Sequence, residues 1–172
     1  MRLFVALDLP SQPVAALQDF AATAARDGLR LLPPESLHVT LAFLGEQPDP
    51  DAVADALRAV APRAVPLGVG EPAWLPPRRP RVLAVDLDDP DGACARLAAE
   101  VVEALRPFFT PERRAFRPHV TVARVRKGAR VDLELPPVPG APTFAASALT
   151  LYRSLLGPQG ARYDALARTP LT

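Results

Sequence analysis

The chain is poor in the residues that most often advertise chemistry. It holds a single cysteine, Cys94, which excludes an intrachain disulfide. Set in an alanine-rich helical stretch with no base tied to it, Cys94 reads as a small core residue and not as a nucleophile. Long hydrophobic runs are also missing. No apolar stretch approaches the ~20 residues that cross a bilayer as a helix. The run at residues 3–7 is too short for a signal-peptide core and is followed by Asp8, so it reads as a first strand. A soluble, cytoplasmic protein is therefore expected. Nor does charge of one sign dominate. Twenty Lys and Arg against 19 Asp and Glu leave a net +1, which argues against a generally basic coat for nucleic acid. At 172 residues the chain fits one domain, 1–172, large enough to bury a core without a disulfide or a metal to hold it.

Histidine is scarce too, and here scarcity is informative. The only two, His38 and His119, stand in matching tetrapeptides: His38-Val39-Thr40-Leu41 and His119-Val120-Thr121-Val122. Both alternate polar and apolar, as a half-buried strand does. Strand geometry puts His38 with Thr40 on one face and His119 with Thr121 on another, each opposite its apolar neighbours. If the two strands face one another across a cleft, two imidazoles flank one reacting atom and two hydroxyls donate to it. That is a general acid/base layout. Two histidines without a task would be costly to bury and satisfy. Zinc is a poor alternative, because neither segment supplies a cysteine or carboxylate at ligand spacing.

The remaining pattern alternates strands and helices. Ser11 is placed to cap a helix over about 12–26, whose stripe is Val14, Leu17, Phe20 and Ala24. A short extended piece at 29–32 precedes the first histidine strand, 37–44, closed by Gly45. Asp49-Pro50 opens a helix to about Val60, and Asp89-Pro90 opens another to about Arg106. Between them, 65–75 and 81–87 form a hairpin around Pro76-Pro77-Arg78-Arg79-Pro80. The second histidine strand covers 119–125. The proline-rich 136–142 is a stiff connector, and 144–155 with 162–167 make a final strand pair. The sum is an α+β chain with signs of internal duplication.

Basic residues crowd the second motif: Arg113, Arg114, Arg117, Arg124, Arg126, Lys127 and Arg130. They form either a solvated face or a surface that meets phosphate, for which the arginine fork is suited. Arg124 lies an odd number of residues from His119, so in an unbroken strand it would point away from the histidine face. A bulge or the strand's end has to redirect it, unless it serves an inter-strand ion pair. Phe43, five residues after His38, has the same parity problem. Its alternatives are a core aromatic and a platform on which a base stacks.

Two His-x-Thr-x motifs about eighty residues apart, with these flanks, resemble the 2H phosphoesterase superfamily, and within it the LigT-type RNA 2′,3′-cyclic phosphodiesterases or 2′-5′ RNA ligases. The resemblance extends from residues 2–10 through 37–45 and 116–124 to 149–152 and 160–163. It implies a bilobed fold in which two antiparallel sheets with flanking helices enclose a central cleft, related by a pseudo-twofold duplication. It implies hydrolysis of RNA 2′,3′-cyclic phosphate ends to 2′-phosphomonoesters without metal or cofactor, and possible reversal into ATP-independent 2′-5′ ligation. His38 is then the proton donor to the leaving oxygen and His119 the proton acceptor, with Thr40 and Thr121 beside them and Arg124 and Phe43 toward substrate. The partner is an RNA end, tRNA fragments included, or a nucleotide with a cyclic phosphate. A monomer is expected, since one chain completes the site. A non-catalytic RNA-end binder and a phosphodiesterase for a small cyclic nucleotide are the rival readings.

Overall fold

The computed structural model describes residues 1–172. Its elements are β1 (Arg2–Asp8), α1 (Ser11–Ala24), β2 (Leu29–Leu31), β3 (His38–Glu46), α2 (Pro50–Leu57), β4 (Pro66–Leu75), β5 (Val82–Asp88), α3 (Ala93–Leu105), β6 (His119–Val125), β7 (Phe144–Ala145), β8 (Ala148–Gly157) and β9 (Gly160–Pro170). No helix is long and apolar enough to cross a membrane.

The helices bury the stripes their spacing implies: Leu17, Phe20, Ala21 and Ala24 on α1, and Cys94, Leu97, Ala98, Val101 and Leu105 on α3. Their starts differ from expectation in two places. Ser11 does not cap α1. Pro10 takes the cap position in extended geometry, and Ser11 is already helical, with no side chain bonding the free amides. Asp49 caps α2 as its Asp-Pro pair predicts, accepting from the Ala52 amide at 3.0 Å. Asp89, by contrast, acts from a distance. The chain makes an extra turn through Gly92 (φ +68°), a left-handed conformation suited to glycine. α3 therefore begins only at Ala93, where the Asp89 carboxylate accepts from the amides of Cys94 and Ala95.

The strands form an antiparallel curled sheet in the order β7-β4-β5-β6-β3-β1-β8-β9, with β2 added beside β6. Two lobes are visible in it. One is β3-β1-β8-β9 and the other β7-β4-β5-β6 with β2, and they join where β3 meets β6 through the single pair Val39↔Val120. Each lobe repeats a strand, a helix and a histidine strand: β1-α1-β3 and β5-α3-β6. The helices interlock the halves, because α1 packs against β6 and α3 against β3. The apolar residues Val39, Leu41, Val120 and Val122 face this helical layer and are buried. The opposite face of both strands is left for His and Thr.

The expected strand 144–155 is broken in two. Phe144–Ala145 pairs with β4 in one lobe, and the chain then crosses to the other, where Ser147 donates its amide to the Asp8 carbonyl at 2.9 Å. The proline-rich connector before it is fastened to the second lobe. Arg26 donates to the carbonyls of Asp132 and Glu134 at 2.6 and 2.7 Å, and Trp74 donates to that of Leu133 at 2.9 Å. The cavity under it is lined by Ala25, Arg26, Asp132, Glu134, Leu135 and Pro136, and by none of the histidine-motif residues.

Candidate active site

The histidine strands are neighbours in one curled sheet, one in each lobe. They touch at Val39↔Val120 and part on either side of that pair. Extending the register by one residue brings His38 alongside Thr121 and His119 alongside Thr40, all on the concave face away from the helices.

The parity conflict of Arg124 and Phe43 is resolved by two bulges at equivalent places. On β3, Ala6↔Thr40 is followed by Val5↔Ala42, so Leu41 is an extra residue. On β6, Ala84↔Thr121 is followed by Leu83↔Ala123, so Val122 is extra. One extra residue flips the alternation beyond it. Phe43 consequently joins His38 and Thr40, and Arg124 joins His119 and Thr121. Arg124 is exposed and forms no ion pair, which removes the inter-strand alternative. Phe43 is 66% exposed, so it is not a core aromatic either.

Both imidazoles are held in the same way. His119 Nδ1 lies 2.7 Å from the Arg117 carbonyl, two residues back. The ring of His38 is likewise hydrogen-bonded by the Ser36 carbonyl, two residues back, while its Nε2 lies 3.1 Å from Thr40 Oγ1. A carbonyl accepts only from N–H, so His119 carries its proton on Nδ1 and keeps Nε2 as an acceptor toward the cleft.

The two surroundings differ. His38 sits in an aromatic cage: Phe4 at 5.0 Å, Tyr163 edge-on at 5.4 Å and Tyr152 at 6.2 Å between ring centroids. Burial in that cage pushes the His38 pKa down to about 4, opposed by the Ser36 carbonyl and Asp8 and helped by the Arg124 guanidinium and the neighbouring His119 ring. Asp8, the β1 partner of His38, accepts from Thr150 Oγ1 at 2.8 Å, Tyr152 Oη at 2.5 Å and Arg168 Nε at 3.1 Å. Burial and that carboxylate raise the Tyr152 phenol well above its ordinary range. Asp86, the β5 partner of His119, instead makes a bidentate pair with Arg117 at 2.8 and 2.7 Å.

These carboxylates and aromatics were not picked out from the sequence. A signal existed for the carboxylates: Ala6-Leu7-Asp8-Leu9 and Ala84-Val85-Asp86-Leu87 repeat one pattern on the strands that flank the histidines. Tyr152 and Tyr163 close the resembling segments 149–152 and 160–163, but nothing local ties them to His38, which they reach only through β8 and β9. The crowd of basic residues also divides. Arg117 is committed to Asp86 and Arg114 to Glu112, whereas Arg124, Arg126, Lys127 and Arg130 are exposed without carboxylate partners. Cys94 is buried, its thiol pushed up to about 12 by burial and Asp89, as suits a core residue.

What the face offers is two imidazoles with fixed tautomer anchors, two hydroxyls and a guanidinium around one space. A Thermus thermophilus RNA 2′,3′-cyclic phosphodiesterase is 33% identical over 99% of this chain and 90% of its own length. One from Geobacillus stearothermophilus is 32% identical over 98% of this chain. That match covers 56% of the Geobacillus relative, and a match to an Aeropyrum pernix relative likewise covers 56% of its length. The crystal structure of Escherichia coli LigT complexed with 3′-AMP superposes with a TM-score of 0.81 at 27% identity, covering 99% of this chain and 98% of that one. The profile of the 2′-5′ RNA ligase superfamily matches residues 8–157. With that span, and with relatives above 30% identity along nearly its whole length, the chain belongs to the 2′-5′ RNA ligase superfamily.

Proposed function

We propose that this chain, as a single domain 1–172, hydrolyses 2′,3′-cyclic phosphate at RNA ends or on nucleotides to a 2′-phosphomonoester. The observation that carries this reading is the shared concave face of His38 and His119, each ring anchored through a carbonyl two residues back. Names of relatives, RNA 2′,3′-cyclic phosphodiesterases, and the nucleotide held by E. coli LigT point the same way.

The chemistry needs two proton transfers. Water attacks phosphorus in line, and His119 Nε2 takes its proton. The bond from phosphorus to O3′ breaks, and His38 Nε2 supplies the proton to that oxygen. Thr40, Thr121 and the Arg124 guanidinium steady the phosphoryl oxygens as charge grows on them. Exposed Phe43 offers a face for the terminal base. No metal takes part in these steps. With an RNA 5′-hydroxyl in place of water, the same displacement at phosphorus, with O3′ again leaving, joins two ends through a 2′-5′ linkage. A cytoplasmic monomer belongs to this reading, because one chain supplies both imidazoles.

A His38 pKa of about 4 leaves this imidazole neutral near pH 7 in the empty cleft. Donation therefore depends on the substrate. An anionic phosphate beside the ring favours the imidazolium and raises its pKa. The profile of kcat/KM, which reports the free enzyme, is expected to carry the donor's deprotonation limb near pH 4, with activity falling as the pH rises through it. In kcat, which reports the bound complex, that limb shifts toward neutrality. Coincident limbs in the two profiles would transfer the donor role away from His38.

The direct test is an oligoribonucleotide ending in 2′,3′-cyclic phosphate, incubated with the protein in EDTA, with the product end identified. A 2′-phosphate is the expected result. A 3′-phosphate means the other oxygen leaves, and bound but unreacted RNA returns the chain to a binding role.

A further inference from the structure

β2 is three residues long, yet it sets a second arginine against the site. In its ladder with β6, Arg30 is the direct partner of Arg124. Directly opposed like charges destabilise a sheet, and no carboxylate relieves this pair. The ladder runs one residue past β6, where the Arg126 amide donates to the Gly28 carbonyl at 2.7 Å. Arg126 therefore lies one strand repeat, about 6.6 Å, beyond Arg124 on the same face. None of the three is ion-paired, in contrast to Arg117, held by Asp86, Arg153, held by Asp164, and Arg168, held by Asp8. Arg30 has one partner, the Gln159 carbonyl at 3.2 Å, and lies flat against Gly160 in the β8–β9 turn, where a side chain would collide with its guanidinium. One of its five donors is spent there, and the others are free.

We propose that Arg30 and Arg126 bind the phosphodiester that precedes the reacting terminal nucleotide, so that the site selects RNA chains over free cyclic nucleotides. The inference rests on the hydrolytic reading above and deepens it. A free nucleoside 2′,3′-cyclic phosphate carries one phosphate, for which Arg124 suffices. A second pair of guanidinium groups further along the same face, left without carboxylates, has anionic work only if the substrate continues past its terminal nucleotide. The strand order supplies the direction: the substrate leaves the histidines along β6, past Arg124, toward the β2–β6 end of the second lobe.

The test compares a mononucleoside 2′,3′-cyclic phosphate with an oligoribonucleotide bearing the same end. For Arg30→Ala and Arg126→Ala, kcat/KM on the oligonucleotide is expected to fall about tenfold more than on the mononucleotide. The slope of log kcat/KM against log salt on the oligonucleotide should flatten by about 0.7 for each phosphate contact removed. Arg126→Ala serves as the control on folding, because Arg126 is exposed and its side chain has no bonding partner. Equal losses on both substrates, or none on either, would overturn the proposal. Binding of a labelled oligonucleotide ending in 2′-phosphate, read by fluorescence anisotropy, reports the same contacts without turnover. If the wild type cleaves neither substrate, the hydrolytic reading fails on its own. Weaker binding in both variants would still uphold the phosphodiester contacts, and unchanged binding would overturn them.

Discussion

His38→Ala and His119→Ala are each expected to lower the hydrolytic rate by on the order of a hundredfold or more, with KM changed little. Loss of a positioned general acid or base costs that much because water must then give or take the proton unaided. The two imidazoles serve one concerted displacement, so their losses should not multiply. The double variant is expected to be only slightly slower than the worse single one, as in other sites whose groups act as a unit. The variants differ in stability. His119 sits at a strand end beside solvent, whereas His38 packs among Phe4, Tyr152 and Tyr163, and its removal opens a hole in that cage. Thermal melts and far-UV circular dichroism separate a folded, inactive His38→Ala from an unfolded one, and His38→Gln keeps more of the packing. Near-normal turnover in either folded single variant would sink the two-histidine mechanism.

The second large effect is expected at Arg124. It faces the same space as the histidines, is exposed, and has no carboxylate to satisfy. Arg124→Ala should reduce kcat/KM about a hundredfold, the scale on which a single donor to a developing oxyanion is worth, with part of the loss appearing as weaker phosphate binding. Arg124→Lys keeps the charge but not the planar fork and should recover only part of the activity. Stability should move the other way. Removing one member of the opposed pair Arg30 and Arg124 relieves repulsion, so the melting temperature is expected to hold or rise slightly. Gain in stability with loss of activity marks a residue kept for function. An unchanged kcat and KM would return Arg124 to a structural role.

These two sites illustrate different degrees of legibility. The histidines announce themselves, because a rare residue repeated in one alternating context implies both a strand and a shared face. Arg124 was visible only as a difficulty. Counting from His119 puts it on the wrong side, and nothing local to β6 says where the alternation breaks. The break is set by β5, which pairs with Ala123 and Thr121 and skips Val122. Phe43 repeats the lesson on β3, where β1 skips Leu41. In α3, likewise, an Asp-Pro pair that begins one helix acts from four residues before the other, because Gly92 inserts a turn.

What the sequence determined by itself is the local order: which segments alternate, which stripes make helices, and that His38 with Thr40 and His119 with Thr121 share faces. Those properties repeat every two or 3.6 residues and need no partner to be read. The tertiary structure decided the rest. It made the two motifs neighbours through Val39 and Val120, turned Arg124 and Phe43 toward them, set Asp8 and Asp86 beside the histidines, and brought Tyr152 and Tyr163 from the far end of the chain around His38. Register between strands a hundred residues apart is chosen by burial of the whole apolar layer, and a one-residue slip exchanges the two faces. That choice belongs to the packed core as a unit, and no single segment carries it.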